Sequence, residues 1–169
     1  METFTIEIEP LTKAAFAPFG DVIEIDGADH FGINRNTVER HHDLAAVDVG
    51  VETGGKTLIS MVTCNELADL PYQLPYVERH PLATQAFIPM DFTPMVVAVA
   101  PDVAAPTPSQ IRAFISNGKQ GINYHRNIWH MPMIFLDASQ RMLVVDRGGP
   151  GNNLEEYFFE NTIIELVKA

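Results

Sequence analysis

Two stretches of this 169-residue chain gather side chains able to do chemistry. The first, Gly118 to Pro132, places His125, His130, Arg126, Lys119, Asn123 and Tyr124 around Trp129, the only tryptophan in the sequence. Core strands rarely concentrate polar groups this way and surface loops rarely hold a tryptophan, so the segment reads as the wall of a polar pocket. The second, Glu78-Arg-His-Pro-Leu-Ala-Thr-Gln85, has the composition of an opposite wall.

Spacing sharpens the reading. Residues two apart on a strand share a face, so Glu78 and His80 project together with Leu74 and Tyr76, and Gln85 opens the next strand after Pro81 stops the pairing. A Glu, a His and a Gln on one inner face can coordinate a divalent metal or hold a polar substrate. The competing reading is a solvated strand end. His125 and His130 fall on opposite sides of an ideal strand and meet in one cavity only if the chain bends, for which Asn127 is a suitable residue. Otherwise one lines the pocket and the other packs, with Trp129 as core or pocket floor. In Thr37–Leu44, Arg40 at a barrel mouth would give a bidentate clamp for a carboxylate, the alternative being a solvated edge strand of mixed charge. Arg147 is expected to pair with a neighbouring acid or to serve a lid.

Several chemistries lack support. There is no Gly-x-Ser-x-Gly elbow, phosphate-cradling loop, dinucleotide fingerprint or His-Glu-x-x-His. Cys64 is the single cysteine, which excludes an intrachain disulfide and a cysteine-built metal knuckle and reads as a small buried hydrophobe. Twenty-two acids against eleven Lys plus Arg give a formal charge of −11, which disfavours nucleic acid and anionic membrane surfaces as partners. With no signal-peptide pattern and no membrane-length apolar run, the expected compartment is the cytoplasm.

The elements that must position these groups are mostly strands. Phe4, Ile6 and Ile8 alternate with polar residues, and further strands are expected at 21–25, 37–44, 57–63, 72–80, 84–88, 95–100, 111–116, 133–136, 142–146 and 155–159. Leu11–Ala17 is the best helix, capped by Thr12, and a helical turn capped by Ser109 follows the stiff Pro101–Pro108 loop. Turns fall at Asp26-Gly27, Gly54-Gly55, Asn117-Gly118 and 148–153. Many short strands with Gly/Pro-rich links predict an all-β barrel or jelly roll in one domain, 1–169.

Four ordered blocks carry a family resemblance: Val38-Glu-Arg-x-His-Asp-Leu, Glu78 to Met90, Arg112 to His130, and Asp146-Arg-Gly-Gly149. Together they resemble the ureidoglycolate lyase (ureidoglycolate hydrolase) family over nearly the whole chain. The resemblance implies a cupin-like β-barrel, a homodimer, a divalent metal (nickel), and cleavage of (S)-ureidoglycolate to glyoxylate and urea in allantoin breakdown. Set against the cupin pattern, Glu78-x-His80 followed by Gln85 stands for His-x-His…Glu, and Asn127-x-x-His130 stands for Gly-x-x-His. The implied metal set is therefore Glu78, His80, Gln85 and His130.

That reaction needs a base for the carbinol hydroxyl and an acid for the departing urea nitrogen, and consumes no water. The expectation from sequence is that His125 or His130 takes the hydroxyl proton while Glu78 or His80 assists the leaving nitrogen. Lys119, Arg126 or Arg40 would hold the carboxylate, and Asn123, Gln85 and Tyr124 the urea amide. Two other classes stay open: a cupin-type metal enzyme acting on another small acid, and a non-catalytic small-acid binding module.

Overall fold

The computed structural model describes residues 1–169. In chain order the strands are β1 (Glu2–Pro10), β2 (Gly20–Ile23), β3 (Asp29–Ile33), β4 (Val38–His42), β5 (Lys56–Thr63), β6 (Tyr72–Gln73), β7 (Tyr76–Arg79) and β8 (Gln85–Pro89). They continue as β9 (Val96–Ala100), β10 (Arg112–Ile115), β11 (Gly121–Tyr124), β12 (Trp129–His130), β13 (Arg141–Gly148), β14 (Glu155–Phe158) and β15 (Thr162–Lys168). One α-helix, α1 (Lys13–Phe16), is capped by Thr12, whose hydroxyl accepts from the Ala15 N–H. The expected turn after the proline loop forms at Pro108–Gln110, but Thr107 caps it, not Ser109.

Eight strands form one sheet in the order β14-β7-β12-β9-β10-β1-β15-β6, and five form a second, β2-β11-β8-β13-β5. This is the all-β, cupin-like barrel expected. Period-two alternation sorts the side chains into two cores. Phe87, Val97, Val99, Phe114, Ile122, Met142 and Val144 fill the space between the sheets. Val77, Val96, Ala98, Ala100 and Trp129 face the other way, into a second core behind the large sheet. Strand β9 is buried on both faces, which is why its sequence is a continuous apolar run.

Two expected strands differ for a shared reason. The run 72–80 splits into β6 and β7, with Pro75 between them unable to donate to a ladder. Met133–Leu136 follows Pro132 and makes only an isolated bridge, Leu67 to Phe135, while Ile134 and Leu136 cover the second core. Strands β3 and β4 form a separate two-stranded ribbon whose turn holds Asn34, Arg35 and Asn36 at positive φ.

Candidate active site

One end of the barrel interior is polar, and the register shows why. On the large sheet His130 lies opposite Glu78, and both point inward because Trp129 and Val77 point outward. On the small sheet Tyr124 lies opposite Gln85, both in line with the inward-facing Ile122 and Phe87. Asp146 continues the inward row Met142, Val144. His80 follows β7 and closes the group.

These residues converge on a cavity of about 360 Å³ lined by Glu78, His80, Thr84, Gln85, Asp146 and the Asn152–Leu154 loop, with Arg147 at its edge. Glu78 Oε1 is 3.7 Å from His130 Nε2 and 4.0 Å from His80 Nε2. The His80 Nδ1–H donates to the Asn153 carbonyl at 2.7 Å, and the His130 Nδ1–H donates to the Ile128 carbonyl at 3.0 Å. Each ring therefore turns its Nε2 lone pair inward. The Tyr124 ring stacks on His130 at 4.1 Å and fixes its plane, and burial holds the Tyr124 hydroxyl protonated. His130 beside Glu78 holds that carboxyl below its ordinary range against the opposing effect of burial. Burial, then the neighbouring His130, push His80 below the usual histidine value, so it is the neutral, lone-pair form that faces the cavity.

This donor set fits a divalent cation. The ligand atoms of Glu78, His80 and His130 lie within 4.8 Å of one another, and His130 Nε2 is buried without a hydrogen-bond partner. With metal–ligand bonds of about 2.1 Å, donors around one ion sit roughly 3–4 Å apart. Gln85 Oε1 lies 3.1 Å from His80 Nε2, two acceptors facing each other, while the Gln85 amide donates to Asp146 Oδ2 at 3.2 Å. A cation between those acceptors would satisfy both.

Five residues singled out in the sequence lie elsewhere. Asn127 does bend the chain, at φ 63°, but His125 turns to the outside, 3.4 Å from Asp21, in a separate cavity of about 440 Å³ shared with Lys13 and His42. Asn123 alternates with Ile122 and Tyr124, so it points to the outer face, where it donates to Asp21 and the Ala46 carbonyl. Arg126 is held by Asp48 and Glu52, Lys119 sits in an exposed turn, and Arg40 rides on the β3–β4 ribbon. Tyr124 is a wall of the site through its ring and is not exposed to hold an amide. Arg147 pairs with no acid; its two terminal nitrogens donate to the carbonyls of Val49, Gly50, Thr53 and Pro150. Asp146 and Asn153 were missed as site residues. Alternation from Met142 placed Asp146 inward, whereas nothing local marks the Asn153 backbone carbonyl as the anchor of His80.

A family model described as ureidoglycolate lyase matches residues 3–165. The chain belongs to the ureidoglycolate lyase family. It is 50% identical over 155 residues to a ureidoglycolate lyase of Stutzerimonas stutzeri strain A1501, covering 92% of this chain and 90% of that protein. The match to the Pseudomonas fluorescens SBW25 ureidoglycolate lyase is 50% over 156 residues, covering 92% of each. A ureidoglycolate lyase of Pseudomonas aeruginosa strain PAO1 is 48% identical over 155 residues. Family membership thus joins a barrel interior that ends in two imidazoles, a carboxylate and an amide oxygen.

Proposed function

We propose that this chain is a ureidoglycolate lyase: it cleaves (S)-ureidoglycolate into glyoxylate and urea, with residues 1–169 acting as one functional unit. Similarity to relatives of that name over most of the chain carries the reading. The chemistry of the cavity supports it. Ureidoglycolate bears a carboxylate, yet the cavity contains Glu78 and Asp146, no lysine, and an arginine whose terminal nitrogens are already engaged. An anion entering such a space needs a positive charge from elsewhere, and the convergent lone pairs of Glu78, His80, His130 and Gln85 would hold one as a divalent metal, nickel by family resemblance. When bound, such a metal would supply Lewis acidity to the substrate and offset the charge of its carboxylate.

The rest falls to the protein. Loss of the hydroxyl proton forms the aldehyde C=O of glyoxylate as the C–N bond breaks, and the urea nitrogen gains a proton. With His125 outside the cavity, Asp146 is the titratable side chain lining it that stands apart from the three clustered donors. We assign it the hydroxyl proton, which it can return to the departing nitrogen on the same face. Thr84 and the Asn152–Asn153 loop bound the space left for the urea group.

The test is incubation of the purified protein with racemic ureidoglycolate, following urea and glyoxylate together. Equal yields that stop at half conversion, abolished by a chelator and restored by Ni²⁺, are the expected result. Ammonia in place of urea would overturn the reaction, and full activity after exhaustive chelation would overturn the metal.

We also propose a homodimer. The β3–β4 ribbon is amphipathic: Phe31, Ile33 and Val38 share one face with Arg40, and Phe31 and Val38 are each 46% exposed. A two-stranded hairpin is marginal in water without something to cover its apolar side, and a second copy of this chain is the occupant we assign. A reducing cytoplasm remains the expected compartment, supported by the single unpaired Cys64; no helix is long and apolar enough to cross a membrane.

A further inference from the structure

We infer that Asp146 is a positioning residue for the metal site: by fixing the Gln85 amide it makes Gln85 an oxygen donor to the cluster, and it thereby sets the affinity and coordination number of the bound ion. The inference rests on the metal reading above. A primary amide presents either an oxygen lone pair or two N–H donors to whatever it faces, and the two ends have nearly the same shape. Left alone beside His80 Nε2, Gln85 would turn its N–H toward that lone pair and make an ordinary hydrogen bond. The result would be a filled contact and no fourth donor.

The geometry favours the opposite orientation. The Gln85 Nε2–H donates to Asp146 Oδ2 at 3.2 Å, and a carboxylate there accepts only from the nitrogen end. Gln85 Oε1 is thereby turned toward the His80 Nε2 lone pair at 3.1 Å. The tautomer of His80 is set independently, because its Nδ1–H is committed to the Asn153 carbonyl. Two anchors, one on the imidazole and one on the amide, thus force two acceptors together, an arrangement repulsive without a cation and favourable with one. Inward alternation on β13 places Asp146 where it can do this, in the row of Met142 and Val144, and β13 pairs with β8, the strand that carries Gln85. Remote partners that orient a ligand typically change metal affinity 10–100-fold when removed.

A double-mutant cycle tests this, with metal affinity measured by chelator competition using Ni²⁺, and with the visible spectrum of the Co²⁺-loaded protein. Asp146→Asn is expected to weaken Ni²⁺ binding about 10-fold or more, because an asparagine permits either orientation of the Gln85 amide. In a Gln85→Ala background the same substitution should cost far less, since no amide remains to orient. The Co²⁺ spectra of Asp146→Asn and Gln85→Ala should resemble each other and differ from the unsubstituted protein by the loss of one oxygen donor. A loss of affinity equal in both backgrounds would mean that Asp146 acts only as a nearby charge and would overturn the inference. So would an unchanged Co²⁺ spectrum in Asp146→Asn. Failure of the unsubstituted protein to bind either ion would sink the metal reading itself, and this inference with it. Should Asp146→Asn fail to fold, Asp146→Ser removes the same anchor and answers the same question.

Discussion

At the scale of single residues, the site depends on how two imidazoles are held and not merely on their presence. His130 is locked by the Ile128 carbonyl and the Tyr124 ring, His80 by the Asn153 carbonyl, and both show a lone pair to Glu78. Alanine at His80 or His130 removes one donor of the proposed metal set and should therefore reduce urea release by about two orders of magnitude or more. His125→Ala, in the separate outer cavity, should leave the rate essentially unchanged, and parallel assays of the three variants check the assignment. The lowered pKa of His80 has a stability consequence with a definite sign. Its folded form resists protonation, so the unfolded chain binds more protons below the ordinary histidine value of about 6.5. Metal-free protein should lose stability as pH falls from that value toward the lower folded one, and His80→Gln should flatten this part of a plot of Tm against pH. Glu78, also lowered, adds a further loss at more acid pH, as the pH falls through its folded value. The sequence showed Glu78, His80, Gln85 and His130 because side-chain type and two-residue spacing carry that information. It could not show that Lys119, Arg126 and Arg40 are engaged or distant, since ion pairing and ribbon geometry are set by residues far away in the chain.

At the scale of elements, alternation explains most of what was legible and most of what was not. Strand β1 shows a clear period of two, β5 and β13 show apolar runs between turns, and all three lie close to where they are expected. Strands β3, β11, β12 and β15 were missed as elements. Chemistry-bearing polar residues occupied β11 and β12, so their pattern resembled a loop, and β12 is only Trp129–His130. The same alternation rejects Asn123 from the cavity: with Ile122 and Tyr124 inside, a residue between them must face out. The loop after β13 is held by Arg147, which is buried and binds four carbonyls of the 49–53 and 150 segments. Hydrogen bonds from a charged donor contribute about 1.5–3 kcal/mol each, and they are not additive. Arg147→Ala should destabilise the protein by about 3 kcal/mol or more in urea denaturation and loosen the loop that carries Asn153. Arg147→Lys, with a single point charge, should recover only part of it.

At the scale of the whole molecule, a chain of formal charge −11 encloses a site that must accept an anion, which places the burden of attraction on the metal ion proposed for the donor cluster. The apolar face of the ribbon gives the assembly prediction. Phe31→Glu combined with Val38→Glu should convert the proposed dimer to a monomer in light-scattering chromatography while leaving the barrel's melting behaviour nearly intact. A dimer unchanged by both substitutions would place the interface elsewhere.

The pairing of β1 with β15 reaches further than stability. Glu2 to Ile8 lie alongside Thr162 to Lys168 in a parallel ladder, and β15 in turn separates β1 from β6. Strand β1 waits for a strand far later in the chain, so the large sheet stays incomplete until β15 has left the ribosome. Until then Ile8 and its neighbours lack a cover, and the nascent chain presents an open, sticky edge to the cell. Contacts this distant in sequence also slow closure once they can form. Emergence of β15, not any earlier moment of synthesis, is when this barrel first becomes able to close.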